Sequence, residues 1–432
     1  MRTSVFDFSL GRDFWNFRLG QLVSLLGDGC GMIALSWWIL SKTGSAAQMS
    51  AVLAPAMAVR LVLLPLLGPV ADRFSRKHLI ALADFWRFAT TAAIAALVHF
   101  DCYRPPLLIA LYMLTSAGSA LFAAASAGIV PQIVERDQLA TAVQQTHAVD
   151  SFARIAGGIL GGLIVTFMGI FGAFLADALS YLISGSASLL IRASTKPKQA
   201  PRAAKAGPLA RWVHELKAGF RVIHRIPVLF WLCIVAMFMN LVLSPLVVLL
   251  PVLAKEARAM PAWFLGGLES SIGVGAVVGA LSTGWVLSRL RVHGVVILAI
   301  GMMGAGVALL PWTPNILLPL SVLFWIGIGQ TWANVPINAQ ISLSVPDSHR
   351  ARVGSIMGFL CGGMDPLGIA GAGLLVERCG LTTTLLGLGA ALIVMTPLLL
   401  LIPDFPDYMG ASPEDAAEFF DKRYPGAFAD PA

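Results

Sequence analysis

Residues 48–100 read QMSAVLAPAMAVRLVLLPLLGPVA, then DRFSRK, then HLIALADFWRFATTAAIAALVHF. Two apolar runs, Gln48–Ala71 and His78–Phe100, flank six residues of which four are charged. A helix rises about 1.5 Å per residue, so about 20 apolar residues cover a hydrocarbon core of roughly 30 Å. Each run is long enough to cross a bilayer, and the charged loop between them belongs in water. A backbone in lipid must satisfy its own hydrogen bonds, which makes the runs helices rather than open strands. The alternation continues outward in both directions. Further spans are predicted at Phe14–Ser41, Leu107–Val130, Thr141–Met168 and Phe171–Ile191 in the first half. The second half holds Val228–Ala254, Trp263–Leu287, Val295–Pro311, Ile316–Leu343, Val353–Val376 and Thr382–Ile402. Twelve spans in two sets of six predict an all-α membrane protein. Residues 1–192 form one six-helix bundle and 227–403 the other.

Residues of the apolar set make up 57% of the chain and DEKR only 12%, whereas soluble domains average about 45–50% and about 25%. The net charge of +7 would suggest nucleic acid in a soluble protein, but its placement argues otherwise. Arg2, Arg12, Arg18, Arg73, Arg76, Lys77, Arg289, Arg291, Arg350 and Arg352 fall on one side of the predicted spans. The central connection adds nine more Lys and Arg between Arg192 and Arg225. The other side holds only Lys42, Arg104, Lys255, Arg258 and Arg378. The positive-inside rule places both termini and the central loop in the cytoplasm of an inner-membrane protein, with no nucleic-acid partner. The first span is too long for a signal-peptide h-region, so no cleaved leader is expected.

The five cysteines show no C-x-x-C spacing and the seven histidines no paired spacing, so neither a metal site nor a disulfide framework is expected. No Walker loop, dinucleotide fingerprint or nucleophile elbow occurs. The expectation is a monomeric transporter without cofactor, rather than an enzyme, driven by an ion gradient.

Residues 193–226 break the apolar pattern and form a linker. Within it Leu209, Trp212, Val213, Leu216, Phe220 and Ile223 recur at helical spacing among basic residues, predicting an amphipathic helix at the cytoplasmic interface. Binding of a partner protein is the other reading of that helix. Residues 404–432 read as a short polar cytoplasmic tail. The halves echo each other: Gly157, Gly158, Gly161 and Gly162 in the fifth span are matched by Gly368, Gly371 and Gly373 in the eleventh. Internal repeats of this kind build two bundles around a central site, and small residues at these spacings let helices approach closely.

The segment Gly68-Pro69-Val70-Ala71-Asp72-Arg73-Phe74-Ser75-Arg76-Lys77 resembles the loop 2–3 signature of the major facilitator superfamily, with Ser75 in place of the second glycine. Within that superfamily the chain is similar to the macrolide-efflux and enterobactin-exporter branch. That likeness rests on Gly27-Asp28, Trp37-Trp38, Asp84-Phe85-Trp86-Arg87, the Phe174–Tyr181 segment, and Asn334-Val335-Pro336 through Arg350-Ala351-Arg352-Val353. The resemblance implies alternating access and export of a small amphipathic compound such as a drug, macrolide or siderophore. It also implies a cytoplasmic gate made by Gly68, Asp72, Arg73, Arg76 and Lys77, with Arg350 and Arg352 at the start of the eleventh span as gate partners. Two features depart from the family. Gly157-Gly158 stands where the antiporter motif has Gly-Pro, and the fourth span lacks the arginine of many proton-coupled exporters.

A charge at the bilayer centre costs about 2.5–3.5 kcal/mol even on insertion scales, so each buried one requires a partner or a role. Asp28 and Arg60 lie near the midplane of the first two spans and are the candidates for proton coupling, or for a static pair. Asp84 and Arg87 are three residues apart, Asp150 and Arg154 four, so each pair shares a helix face. They read as structural pairs or gate elements. Asp177 and Glu269 are expected near the outer face. Asn240, Gln330, Asn334 and Asn338, with Trp37 and Asp365, are the candidate substrate-cavity residues; amides on one face bind either a substrate or a neighbouring helix. A lysophospholipid flippase and a transport-inactive sensor are the alternatives to export.

Overall fold

The computed structural model describes residues 10–195 and 219–428. Among these the chain is helical without strands. The helices are α1 (Arg12–Thr43), α2 (Ala46–Ala71), α3 (Arg76–His99), α4 (Pro105–Ser126), α5 (Leu139–Leu189), α6 (Pro227–Leu243), α7 (Leu246–Val252), α8 (Ala262–Leu287), α9 (Val292–Leu309), α10 (Leu317–Ser344), α11 (Asp347–Cys379), α12 (Leu381–Leu398), α13 (Phe405–Gly410) and α14 (Pro413–Arg423). Among the described residues ten helices are long and apolar enough to cross a membrane. The predicted twelve are reached because α5 holds two spans and because the amide-rich α10 is also long enough at 28 residues.

The fifth and sixth spans join without a loop, and the break is Gly169 at φ 74°, ψ 178°. That left-handed region suits a residue without Cβ, so the sequence turns there while hydrogen bonding continues on either side. The seventh span is interrupted between α6 and α7 at Ser244-Pro245, where proline lacks an N–H and crowds the preceding turn. It ends in a π-turn, Leu253–Ala257. Ser45 caps α2 by accepting from the Gln48 N–H at 3.1 Å, which satisfies one of the orphan donors of the first turn.

The chain divides into two units, residues 1–208 with 250–270, and residues 209–249 with 271–432. This differs from the predicted boundaries in giving residues 250–270 to the first unit. In that unit α1 packs along α5, α2 on α4, and α3 on both α4 and α5. The four predicted packing glycines of α5 serve two neighbours. A methyl on Gly161 would meet the Gly29 carbonyl oxygen at 2.8 Å and Cys30 Cα at 2.9 Å, and Gly157 faces Leu25 and Gly29 of α1. Gly158 and Gly162 instead face Ala262, Trp263, Gly266 and Ser270 of α8. The Ser270 hydroxyl donates to the Ile155 carbonyl at 2.7 Å, locking that approach.

In the second unit α9 packs between α10 and α12, and α6 lies on α11. The predicted polar tail is folded: α13 and α14 pack on α10, with Phe405, Tyr408, Met409, Ala416 and Phe420 fully buried. The amphipathic linker helix falls mostly outside the described residues. Residues 219–225 are helical, with Ile223 buried and Phe220 half exposed.

Candidate functional site

The first unit encloses a charged cluster among α1, α3 and α5. Asp84 and Arg87, one turn apart on α3, form an ion pair in which neither side chain reaches the surface. The guanidinium lies between two rings, 4.5 Å from the Phe122 centroid and 4.3 Å from that of Tyr181. Such stacking keeps a desolvated cation in place. The Tyr181 hydroxyl donates to Asp28 on α1. Asp177, four residues before Tyr181 and on the same face of α5, presses its carboxylate against α1. A methyl on Gly31 would come within 2.2 Å of Asp177 Oδ2. Asp177 is 5% exposed and its Oδ1 has no hydrogen-bond partner, as is also true of Asp84 Oδ2. Asp84 thus contacts the guanidinium directly, and Asp28 and Asp177 lie within electrostatic range of it.

This arrangement changes two expected pairings. Asp28 is bonded to Tyr181 rather than paired with Arg60. Arg60 is exposed on α2, within electrostatic range of Tyr112. Asp150 bonds to Arg18 at 2.8 Å rather than to Arg154, which is exposed. Arg18 is 1% exposed inside α1 and also donates to the Thr146 carbonyl at 2.9 Å. It is therefore a core residue and not a flanking loop charge. Asp177, expected near the outer face, lies within the cluster beside Asp28, eight residues past the break at Gly169. In the sequence Tyr181 stands out only as the last residue of the family-like Phe174–Tyr181 segment. Nothing in its spacing marks it as the link between Asp28 and Arg87.

At the α2–α3 loop, Arg76 pairs with Asp72 at 2.7 Å and donates to the Ala125 carbonyl at 3.3 Å. Lys77 donates to the Ile191 carbonyl at 2.7 Å, and the Ser75 and Thr195 hydroxyls are 2.8 Å apart. Ser75, which replaces a family glycine, thus ties the loop to the end of α5. Arg73 is exposed, and nothing lies near the α-carbon of Gly68 on its side-chain side. Arg350 pairs with Asp347 at 2.6 Å. The side chain of Arg352 lies outside the described residues.

The second unit contains a cavity of about 400 Å³ among α6, α10 and α11. Asn240, Gln330, Asn334 and Asn338 all line it, and Leu232, Met239, Ile337 and Met357 supply apolar wall. The amides were predicted to share a face by their four-residue spacing, and in α10 they do. The Asn334 amide nitrogen donates to the Gln330 carbonyl at 2.8 Å, which leaves its second N–H and its oxygen for a ligand. Arg350 stands at one end of the cavity with Val353 and Gly354, and among the described residues no carboxylate lines the space. Asp365 is not among the lining residues. Its carbonyl accepts from Ser244 at 3.3 Å. Trp37 is likewise elsewhere: in the first unit, the Lys255 ammonium lies 5.4 Å from its ring centroid and 2.6 Å from the Ser41 hydroxyl.

Among proteins of similar sequence, macrolide efflux protein A of Streptococcus pyogenes is 22% identical over 391 residues, covering 88% of this chain and 93% of that protein. Multidrug efflux pump Tap of Mycobacterium tuberculosis (strain ATCC 25618 / H37Rv) is 25% identical over 397 residues, covering 86% and 89%. Among solved structures, nucleoside transporter NupG superimposes with a TM-score of 0.71 at 15% identity, over 91% of this chain and 99% of that one. A bacterial homologue of the iron transporter ferroportin in an inward-facing state gives 0.69 at 15%, over 93% and 99%. These likenesses show the fold. The profile of the Major Facilitator Superfamily matches residues 18–369, and with its motif loop, its buried charge cluster and its multi-pass helical fold the chain belongs to the major facilitator superfamily of membrane transporters.

Proposed function

We propose that the protein exports a small amphipathic organic compound in exchange for protons, by alternating access across the cytoplasmic membrane with both termini inside. The buried cluster carries this reading. Three carboxylates, Asp28, Asp84 and Asp177, share one guanidinium, so the fully ionised cluster holds surplus negative charge in a low-dielectric interior. Uptake of a proton by the cluster relieves that repulsion, and its release restores it. Asp28 is the member with access, being half-buried where the other two are enclosed. The amide and aliphatic lining of the 400 Å³ cavity suits a weakly polar solute of drug size, in keeping with the efflux proteins the chain is similar to.

The test is Asp28→Asn in proteoliposomes carrying a proton gradient. Titration is lost while shape is kept, so uphill pH-driven export of a dye or macrolide should disappear with the fold intact. Wild-type export from the variant would refute the assignment. A flippase reading is favoured by a second, almost wholly apolar groove of about 710 Å³ between α6 and α12, lined by Trp231, Phe238, Ala391 and Val394 among others. It predicts relocation of a labelled lysophospholipid between leaflets with no drug present.

A further inference from the structure

The structure assigns the C-terminal segment from Asp404 to Phe428 a role as a clamp that sets the width of the cytoplasmic rim of the α6–α10–α11 cavity. The placement of amides on α10 carries the argument. Gln330, Asn334 and Asn338 point into the cavity, whereas Gln340 is two residues further on and therefore about 200° around the helix. Gln340 is 7% exposed, and its amide nitrogen donates to two tail carbonyls, Tyr408 at 2.8 Å and Ala411 at 3.1 Å. Those carbonyls lie at the end of α13, where a helix's last acceptors lack regular intrahelical partners; among the described residues that of Tyr408 otherwise accepts only from the Ala411 N–H, at 3.4 Å. One buried amide thus satisfies the tail and is itself satisfied.

The tail has its own packing. Tyr408 stacks on Phe420 at 5.2 Å and 22°. Asp404 accepts from Arg423 at 2.8 Å and from the Tyr424 hydroxyl at 2.6 Å. Ser412 caps α14. At its far end Phe428 lies 5.3 Å from the ring of His349 in the first turn of α11. The segment therefore grips the back of α10 and the start of α11. Ser342 and Val345 of the α10 end, and Arg350 and Val353 of α11, line the cytoplasmic part of the cavity. Movement of either helix end against the other must strain the tail contacts or release them.

The experiment follows Cys361, which lines the cavity, in full-length protein whose other four cysteines are replaced. Labelling by N-ethylmaleimide is compared for the parent, Gln340→Leu, Phe420→Ala and a chain ending at Pro403. A second set keeps only Cys379, exposed at the other end of α11, as the control. Loosening the clamp should accelerate Cys361 labelling by about tenfold, the scale of losing two ordinary hydrogen bonds, and leave Cys379 unchanged. Unchanged or slower Cys361 labelling in the two single variants overturns the proposal. So does equal acceleration at both cysteines, which marks general unfolding. The readout needs no substrate, so its failure is distinguishable from failure of the export reading, and the single variants serve where the truncated chain does not fold.

Discussion

Arg87→Met takes the only guanidinium out of the buried cluster and leaves its neighbours in place. Asp84 is 0% exposed, so it can find no water in exchange, and one of its oxygens already lacks a partner. Breaking a buried pair by removing one member costs about 3–5 kcal/mol. The two ring contacts, at 4.5 and 4.3 Å, are lost with it. Methionine offsets part of this by filling the slot between Phe122 and Tyr181 with an adaptable apolar chain. The net loss is about 3–5 kcal/mol. At about 2–4 °C per kcal/mol for a unit of this size, the melting temperature in mild detergent should fall by about 6–20 °C. Asp84→Asn/Arg87→Met also removes the enclosed carboxylate, so part of the loss should return, although Asp28 and Asp177 still lack the guanidinium they shared. Thermal unfolding followed by thiol-reactive fluorescence measures all three proteins. An Arg87→Met midpoint at the wild-type value, or a double variant no more stable than the single one, refutes the account of Arg87 as the cluster's electrostatic keystone.

Gly161→Ala should destabilise by about 1–3 kcal/mol, because its methyl meets α1 backbone at 2.8 Å, whereas Gly157→Ala, with its nearest contact at 3.4 Å, should be neutral or stabilise by up to about 1 kcal/mol; paired melting curves test the contrast. The hydrogen bonds from Arg423 and then Tyr424 hold Asp404 below the usual carboxylate range. A depressed folded-state value contributes stability that is present above the unfolded value of about 3.9 and lost as pH falls through the lower one. Hydrogen exchange of the α14 amides, corrected for intrinsic rate, should therefore be equal at pH 7 and pH 5 and faster only in stronger acid; loosening between pH 7 and 5 would contradict it.

Much of the architecture was legible because lipid imposes one rule on every span. Gln48–Ala71 and His78–Phe100 had to be helices whatever they touch, since no other backbone state is satisfied in hydrocarbon. The amide face of Gln330, Asn334 and Asn338 followed from helical period alone, as did the Asp84–Arg87 pair, one turn apart. The close approach of glycine-bearing helices was legible too, though not that Gly157 and Gly161 serve α1 while Gly158 and Gly162 serve α8.

Partners distant in sequence were a matter for tertiary structure. Asp28 and Arg60 share an expected depth, but depth does not say which faces of α1 and α2 meet, and Asp28 bonds instead to the phenol of Tyr181. Arg18 and Asp150 are 132 residues apart, and no local period connects them. The tail shows the same limit in reverse. Its polar composition reads as solvated chain, yet Phe405, Tyr408 and Phe420 find a buried surface once Gln340 offers a donor from the back of α10. Sequence period determines which residues share one helix face, because that depends on a single backbone geometry. Which faces then meet depends on the packing of all helices at once, and here that packing decided where the buried charges and the tail came to rest.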